Sequence, residues 1–379
     1  MLISKRLVER SVKFAFSVIV VLLLFFEAHI ALAAQPLAAR ENRSAILADI
    51  DATIAKLNNK DISYDDAIVE ITKIIPKPVN HPGYPRRPIE FLVGWNEGGA
   101  SDNYVREIGV DAAKIIGQSF TFINMPGAQG DTAVAHSLTR EPDGYTIVGV
   151  NGSQPVSQIF LDLPYKFTED MVPIISNQGY GEAFFISKDS PFKTWDDIVK
   201  YAKENPGDLT VATVGPTTDD GLVIWAIMDH FGIDIVNFGY NNNGERSAAV
   251  LGGHIMVLAD SLSTVISLLE AGNLKPVLYY GPKRYTDIDP DVPCFGDYSL
   301  NINLLRWRGI AGSTGFPEDI QEYLYQVFYA AQFLPHYQDF EKRTYLYFSQ
   351  PWCLAPEELK VFWTNFYNEG MSMKEKFYK

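Results

Sequence analysis

Pro88-Ile89-Glu90-Phe91-Leu92-Val93-Gly94-Trp95-Asn96-Glu97-Gly98-Gly99-Ala100-Ser101-Asp102 decides how this chain is read. Ile89 to Val93 is an apolar run with strand character, and a glycine pair follows it. A helical pattern begins at Ser101 or Asp102. Val105, Ile108, Ala112, Ile115 and Ile116 recur at helical spacing, and Gly117 stands where a helix stop is expected. Strand, glycine turn and helix N-terminus together aim free backbone N–H groups outward, and the helix dipole adds partial positive charge there. Such a turn can seat a carboxylate or phosphate; it can equally be a tight strand-to-helix connection. Gly98-Gly99-Ala100 lacks the spacing of a dinucleotide fingerprint, and no Gly-Lys-Ser/Thr follows to make a phosphate loop.

Outward from this stretch, short strands alternate with helices. Phe120 to Asn124 is a strand, followed by a turn at Pro126-Gly127-Ala128-Gln129-Gly130 and a helix over Thr132 to Leu138. Thr146 to Val150 is the next strand. The βαβαβ run implies a parallel sheet with ligand-facing loops at the strand C-terminal ends. The pattern then repeats: strands over Ala183 to Ser187, Leu209 to Val214, Val236 to Tyr240, His254 to Ala259 and Leu274 to Tyr280. Helices fall over Trp195 to Glu204, Leu222 to Phe231 and Glu245 to Leu251. The expected fold is α/β with two lobes, each a mostly parallel sheet flanked by helices. Clefts between domains are favoured ligand sites.

Before Pro88, residues 41 to 76 carry two helical stripes, the second opened by Ser63-Tyr64-Asp65-Asp66 in the manner of a capping box. The linker Lys77 to Pro85 ends them. This pair could pack on the main body or serve as a docking element.

The N-terminus reads as a secretory signal. Lys5, Arg6, Arg10 and Lys13 precede the apolar run Phe14 to Phe26, and Ala31-Leu32-Ala33 offers a small-x-small cleavage site. The rival reading, an uncleaved anchor, meets an apolar run shorter than roughly 20 residues, interrupted by Glu27 and His29. The mature chain is therefore expected to begin near Ala34 and to be exported to the periplasm.

The 379 residues are 47% hydrophobic, ample for a large core. A net charge of −14 argues against nucleic acid, but not against a small anion, because local backbone dipoles can outweigh a distant field. Cys294 and Cys353 could pair or stay free. Catalytic signatures are wanting. There is no H-E-x-x-H, no Cys-x-x-Cys and no G-x-S-x-G. His136, His230 and His254 stand singly. Asp219-Asp220 and the Asp287, Asp289, Asp291 group read as solvated turns among glycine, proline and asparagine. No cofactor or metal is expected.

Several motifs, in order, resemble the solute receptors of tripartite tricarboxylate transporters, the Bug family of periplasmic binding proteins. These are Pro88 to Arg106, Asn124-Met125-Pro126-Gly127-Ala128-Gln129-Gly130, Pro142-Asp143-Gly144-Tyr145-Thr146, Asp170 to Ile174, Ala249 to Ile255, Arg284 with Asp291-Val292-Pro293, and Trp307-Arg308-Gly309-Ile310 with Gly315-Phe316-Pro317. The resemblance covers Pro88 to the C-terminus. It implies a type II-like two-lobed binding protein with a hinged cleft, no catalysis, a small organic carboxylate as ligand and membrane permease subunits as partners. The implied organisation is signal 1–33, helical extension and linker 34–85, first lobe 86–185 and 281–379, second lobe 186–280. By position, Gly98, Gly99, Ala100, Ser101 and Asp102 would grip the ligand carboxylate from the first lobe. Gly215, Pro216, Thr217 and Thr218 would do so from the second. Asn151, Ser153 and Tyr240 would line the cleft, with Asp260 in reach.

The chain departs from the family pattern at Asn96-Glu97, where a carboxylate beside an anion seat must lie on the rim or select an amine-bearing ligand. It departs again at Asn241-Asn242-Asn243-Gly244, at Asp297-Tyr298-Ser299 and in the helical extension. A sensor or scaffold protein that docks through that extension is the competing function.

Overall fold

The computed structural model describes residues 37–378, apart from Tyr180, Asn241, Asn301, Asn303, Leu305, Tyr345 and residues 347–352. The expected signal segment and its cleavage point lie outside the described residues.

The chain opens with α1 (Leu37–Asn58) and α2 (Tyr64–Ile74). Ser63 caps α2 by accepting the Asp66 amide. The first lobe then runs β1 (Ile89–Val93), α3 (Ala100–Ile116), β2 (Phe120–Asn124), α4 (Asp131–Ser137), β3 (Thr146–Asn151), α5 (Ser153–Phe160), a single turn α6 (Phe167–Asp170) and β4 (Met171–Gly179). The second comprises β5 (Glu182–Ser187), α7 (Trp195–Glu204), β6 (Thr210–Thr213), α8 (Asp219–Phe231), β7 (Val236–Gly239), α9 (Asn243–Leu251), β8 (Val257–Ser261), α10 (Leu262–Glu270) and β9 (Leu274–Tyr279). β10 (Trp307–Ser313), α11 (Glu318–Gln332), α12 (Pro335–Arg343) and α13 (Pro356–Phe377) complete the chain.

The strands form two five-stranded sheets, in the orders β2-β1-β3-β10-β4 and β7-β6-β8-β5-β9. Each sheet is mixed rather than mostly parallel. β1 pairs in parallel with β2 and β3, but β10 runs antiparallel to both β3 and β4. In the second sheet β6 is parallel to β7 and β8, while β5 is antiparallel to β8 and β9. The reason is connectivity. β5 and β10 arrive by crossing from the other sheet, so no crossover helix forces them parallel to their neighbours. The outward crossing falls between Gly179 and Glu182, so β5 belongs to the second sheet although a boundary at 185/186 would leave it in the first lobe. Its uniformly buried residues give no periodic sign of which sheet they join.

α3 shows the local logic of the helices. Tyr104, Val105, Ile108, Ala112 and Ile115 are buried on one stripe, and Gly117, at φ +75°, ends the helix in the left-handed conformation. The same core takes in Ile50, Ile54 and Ile71 from α1 and α2, so the N-terminal pair packs on the body. Arg43 seals that contact with ion pairs to Glu322 and Glu357, each 2.5 Å.

A second core joins the lobes. Leu359, Trp363 and Phe366 of α13 are fully buried in a cluster that holds Val148 and Val150 of the first sheet and Phe184 and Val211 of the second. Trp363 lies 4.6 Å from Phe167 and 5.9 Å from Trp307 between ring centres. Cys294 is buried, Cys353 half-buried, and both are free.

Candidate functional site

In the first lobe, β1 delivers the chain into a turn closed by the Gly99 amide donating to the Asn96 carbonyl at 3.1 Å. Gly98 takes φ +75°, where a Cβ would be strained. Its amide donates to Asp102 Oδ2 at 2.9 Å. Asp102 also accepts from Arg106 Nε and Asn124 Nδ2. Burial opposes its charge, yet these hydrogen bonds hold its carboxyl below the usual range. Asp102 therefore faces inward and holds the loop in shape. The amides of Ala100 and Ser101 belong to the first turn of α3, where no helical acceptor exists. They have no protein acceptor among the described residues.

Ser101 Oγ is the meeting point of three elements. Asn151 Nδ2 at the end of β3 lies 3.4 Å away, and Arg308 Nε on β10 lies 3.3 Å away. Asn151 Oδ1 accepts the Ser153 amide at 2.9 Å, and Gln154 Oε1 accepts the Asn151 amide at 2.8 Å. Arg308 is 5% exposed, and its Nη1 donates to Gln178 Oε1 at 2.6 Å. A helix N-terminus, a hydroxyl and a guanidinium thus converge at one place. Glu97 is exposed, outside this convergence.

In the second lobe the loop after β6 ties itself down. The Gly215 amide donates to Thr213 Oγ1 at 2.9 Å, and Thr218 Oγ1 donates to the Gly215 carbonyl at 2.6 Å. Pro216 has no N–H to offer. A Cβ on Gly221 would stand 2.0 Å from the Pro216 carbonyl oxygen, so only glycine lets α8 close on this loop. The amides of Thr217 and Thr218 have no protein acceptor among the described residues. Tyr240 is half-buried, and its amide is spent on the Thr213 carbonyl at 2.9 Å. Asp260 is buried and paired with Arg246 Nη2 at 2.6 Å. Burial pushes its carboxyl up, against the pull of Arg246.

Asp219 and Asp220 are not a solvated turn. They are 3% and 1% exposed, and they share Arg306 with Glu182. Arg306 bonds Glu182 Oε1 at 2.8 Å, Asp219 Oδ2 at 2.8 Å and Asp220 Oδ1 at 2.5 Å. Asp220 Oδ2 also accepts the Val214 amide. Sequence alone could not bring these together, because Arg306 lies more than 80 residues beyond the aspartates. Burial pushes the Glu182 carboxyl up to about 8, with Arg306 the main opposing influence, and pushes Asp219 up too. A side chain at Gly152, beside Asn151, would meet the Asp219 carboxylate at 3.0 Å and the Phe366 ring at 3.4 Å. The strand-end loops of the two lobes therefore face each other across a narrow gap.

Among the described residues no group of His, Cys, Asp and Glu is placed to hold a metal, and no helix is long and apolar enough to cross a membrane.

Two α/β lobes whose strand-end loops face across a cleft define a solute-binding receptor. The comparisons with known proteins specify which kind. Residues 104–349 match the tripartite tricarboxylate transporter family receptor. A protein encoded in the gbd 5′ region of Cupriavidus necator is 31% identical over 288 residues, covering 73% of this chain and 86% of that one. The chain belongs to the tripartite tricarboxylate transporter receptor family. Its fold is shared with MatC from Rhodopseudomonas palustris, solved with bound malate. That match has a TM-score of 0.63 and 20% identity, over 76% of this chain and 99% of the other. It is shared too with an R. palustris protein solved with adipate, at a TM-score of 0.65 and 18% identity, over 77% and 97%.

Proposed function

We propose that this chain is a periplasmic receptor that captures a small organic carboxylate between its lobes and presents it to membrane permease subunits. The observation that carries this reading is the convergence at Ser101. The unspent amides of Ala100 and Ser101, the α3 dipole, Asn151 and Arg308 all favour an anion at one point. Gly98, Gly99 and Asp102 shape that seat, while Thr217 and Thr218 supply donors from the opposite loop. Malate and adipate in two neighbours of the same fold agree with a carboxylate ligand. Ligand that touches both loops favours the closed arrangement only by its preference for that form. The signal would be cleaved near Ala34, and the ligand would leave the cleft chemically unchanged.

A thermal-shift screen of the mature chain tests the reading. Mono-, di- and tricarboxylates, amino acids and aromatic acids are each applied in excess. A ligand at about a hundred times its dissociation constant adds roughly 2.7 kcal/mol. A rise in Tm confined to carboxylates supports the receptor; flat curves with cooperative unfolding refute it.

A further inference from the structure

The two segments that cross between the lobes meet at one ion cluster. Glu182 opens β5, just after the outward crossing, and Arg306 ends the return crossing, just before β10. Arg306 Nε bonds Glu182 Oε1 at 2.8 Å and so ties the crossings together, while its Nη1 and Nη2 reach Asp219 and Asp220 at the start of α8. Asp220 is the best satisfied of the three carboxylates, because its Oδ2 also accepts the Val214 amide at 2.9 Å. Glu182 Oε2 accepts no hydrogen bond among the described residues. Fully ionised, three carboxylates around one guanidinium leave negative charge in excess. The groups packed against the knot bring it no second cation. Tyr280 and Tyr285 are phenols that burial keeps neutral. Asp260 is matched by Arg246. Gly152, Trp307 and Phe366 carry no charge. A buried excess of like charge is relieved by holding a proton, and burial pushes the carboxyls of Glu182 and Asp219 up.

Both lobes bury this knot. Asp219 is 3% exposed, and backbone of the first lobe helps to cover it. A Cβ on Gly152, between β3 and α5, would stand 3.0 Å from Asp219 Oδ2 and 3.5 Å from Trp307 Nε1. Lobes that open about their crossings draw Gly152 away and admit water to Asp219. Water favours the ionised form, since desolvation is what opposes it. Closure expels that water, and the knot then holds its proton again.

We infer that closing the lobes carries a proton into the knot of Glu182, Asp219 and Asp220 around Arg306, so that ligand capture is coupled to proton uptake at the hinge. The inference rests on the cleft-receptor reading above. A closed form that binds more protons than the open one is favoured by acid, so capture weakens as pH rises. By the same linkage, protons favour closure in the absence of ligand.

Two measurements on the mature chain test it. Calorimetry with malate and with adipate, in buffers of different ionisation enthalpy, counts the protons taken up on binding. The wild type should take up about half to one proton per ligand near pH 7.5, and its Kd should rise about three- to tenfold per pH unit between pH 6.5 and 8. In Glu182→Gln/Asp219→Asn, which leaves Arg306 balanced by Asp220, uptake should fall below about 0.2 proton and Kd should be nearly flat across the same range. Asp219→Asn alone is measured beside it, should the double variant fail to unfold cooperatively. Small-angle scattering of the ligand-free chain is the second measurement. The radius of gyration should fall from pH 8 to pH 6.5 in the wild type and stay constant in the variant. Binding without proton uptake, or uptake that persists in a cooperatively folded variant, overturns the inference. Failure of both acids to bind counts against the receptor reading; the ligand-free radius then decides the coupling alone, and a radius independent of pH overturns it.

Discussion

Replacing Arg306 with Met should expose how much of this protein's stability hangs on one side chain. Arg306 is 13% exposed at its side chain and faces carboxylates of Glu182, Asp219 and Asp220 that are 2%, 3% and 1% exposed. Removing one partner from a buried charge cluster costs about 3–5 kcal/mol, because the remaining charges lose compensation. The loss should depend on pH in a definite direction. Glu182 titrates near 4.5 when unfolded and near 8 when folded. Its contribution to stability is full below pH 4.5 and is lost as pH rises towards 8, at roughly 1.4 kcal/mol per pH unit. Without Arg306, the carboxyls of Glu182 and Asp219 lose the influence that lowers them. The folded variant then keeps its protons to higher pH than the wild type, so its deficit relative to wild type widens as pH rises. Urea unfolding at pH 5, 6, 7 and 8, followed by tryptophan fluorescence, measures both quantities. The deficit should be smallest at pH 5 and largest at pH 8. A deficit below about 1 kcal/mol at pH 8, or one that does not change with pH, would refute the reasoning.

Other substitutions separate binding from folding. Ser101→Asp adds a carboxylate in the first turn of α3, where the helix dipole tolerates it, but the seat then repels an anion. Carboxylate affinity should fall at least about tenfold with the urea midpoint within error of wild type; unchanged affinity in calorimetry would remove Ser101 from the site. Trp363→Ala empties the core shared by the two sheets and should cost about 3–5 kcal/mol in urea unfolding, whereas an unchanged midpoint would mean α13 does not tie the lobes together. Arg43→Met breaks the contact between α1 and the body. Limited proteolysis should then release the first two helices while ligand affinity stays as in wild type; a change in affinity would show that the extension reaches the cleft.

The sequence by itself determined the local units of this protein. Ile89 to Val93, the glycine pair, the apolar stripe from Val105 to Ile116 and the stop at Gly117 encode a strand, a turn and a helix within 30 residues. Each signal depends only on neighbours along the chain. The alternation of such units announced two α/β lobes, and their motifs in order pointed to the family. Tertiary structure decided what sequence periodicity does not carry. It set β5 and β10 antiparallel between strands from their own sheets, because they arrive by crossing. It also turned Asp219-Asp220 from an apparent solvated turn into half of a buried ion cluster. Arg306 and Arg308 stand two residues apart, yet one joins the acidic knot of the second lobe and the other the seat at Ser101. Strand alternation would put both on one face, so what separates them is the position of the return crossing between the lobes, which brings Arg306 to Asp219 and Asp220 and Arg308 to Ser101. Charge partners separated by more than 80 residues leave no local pattern, so only the folded chain brings them together.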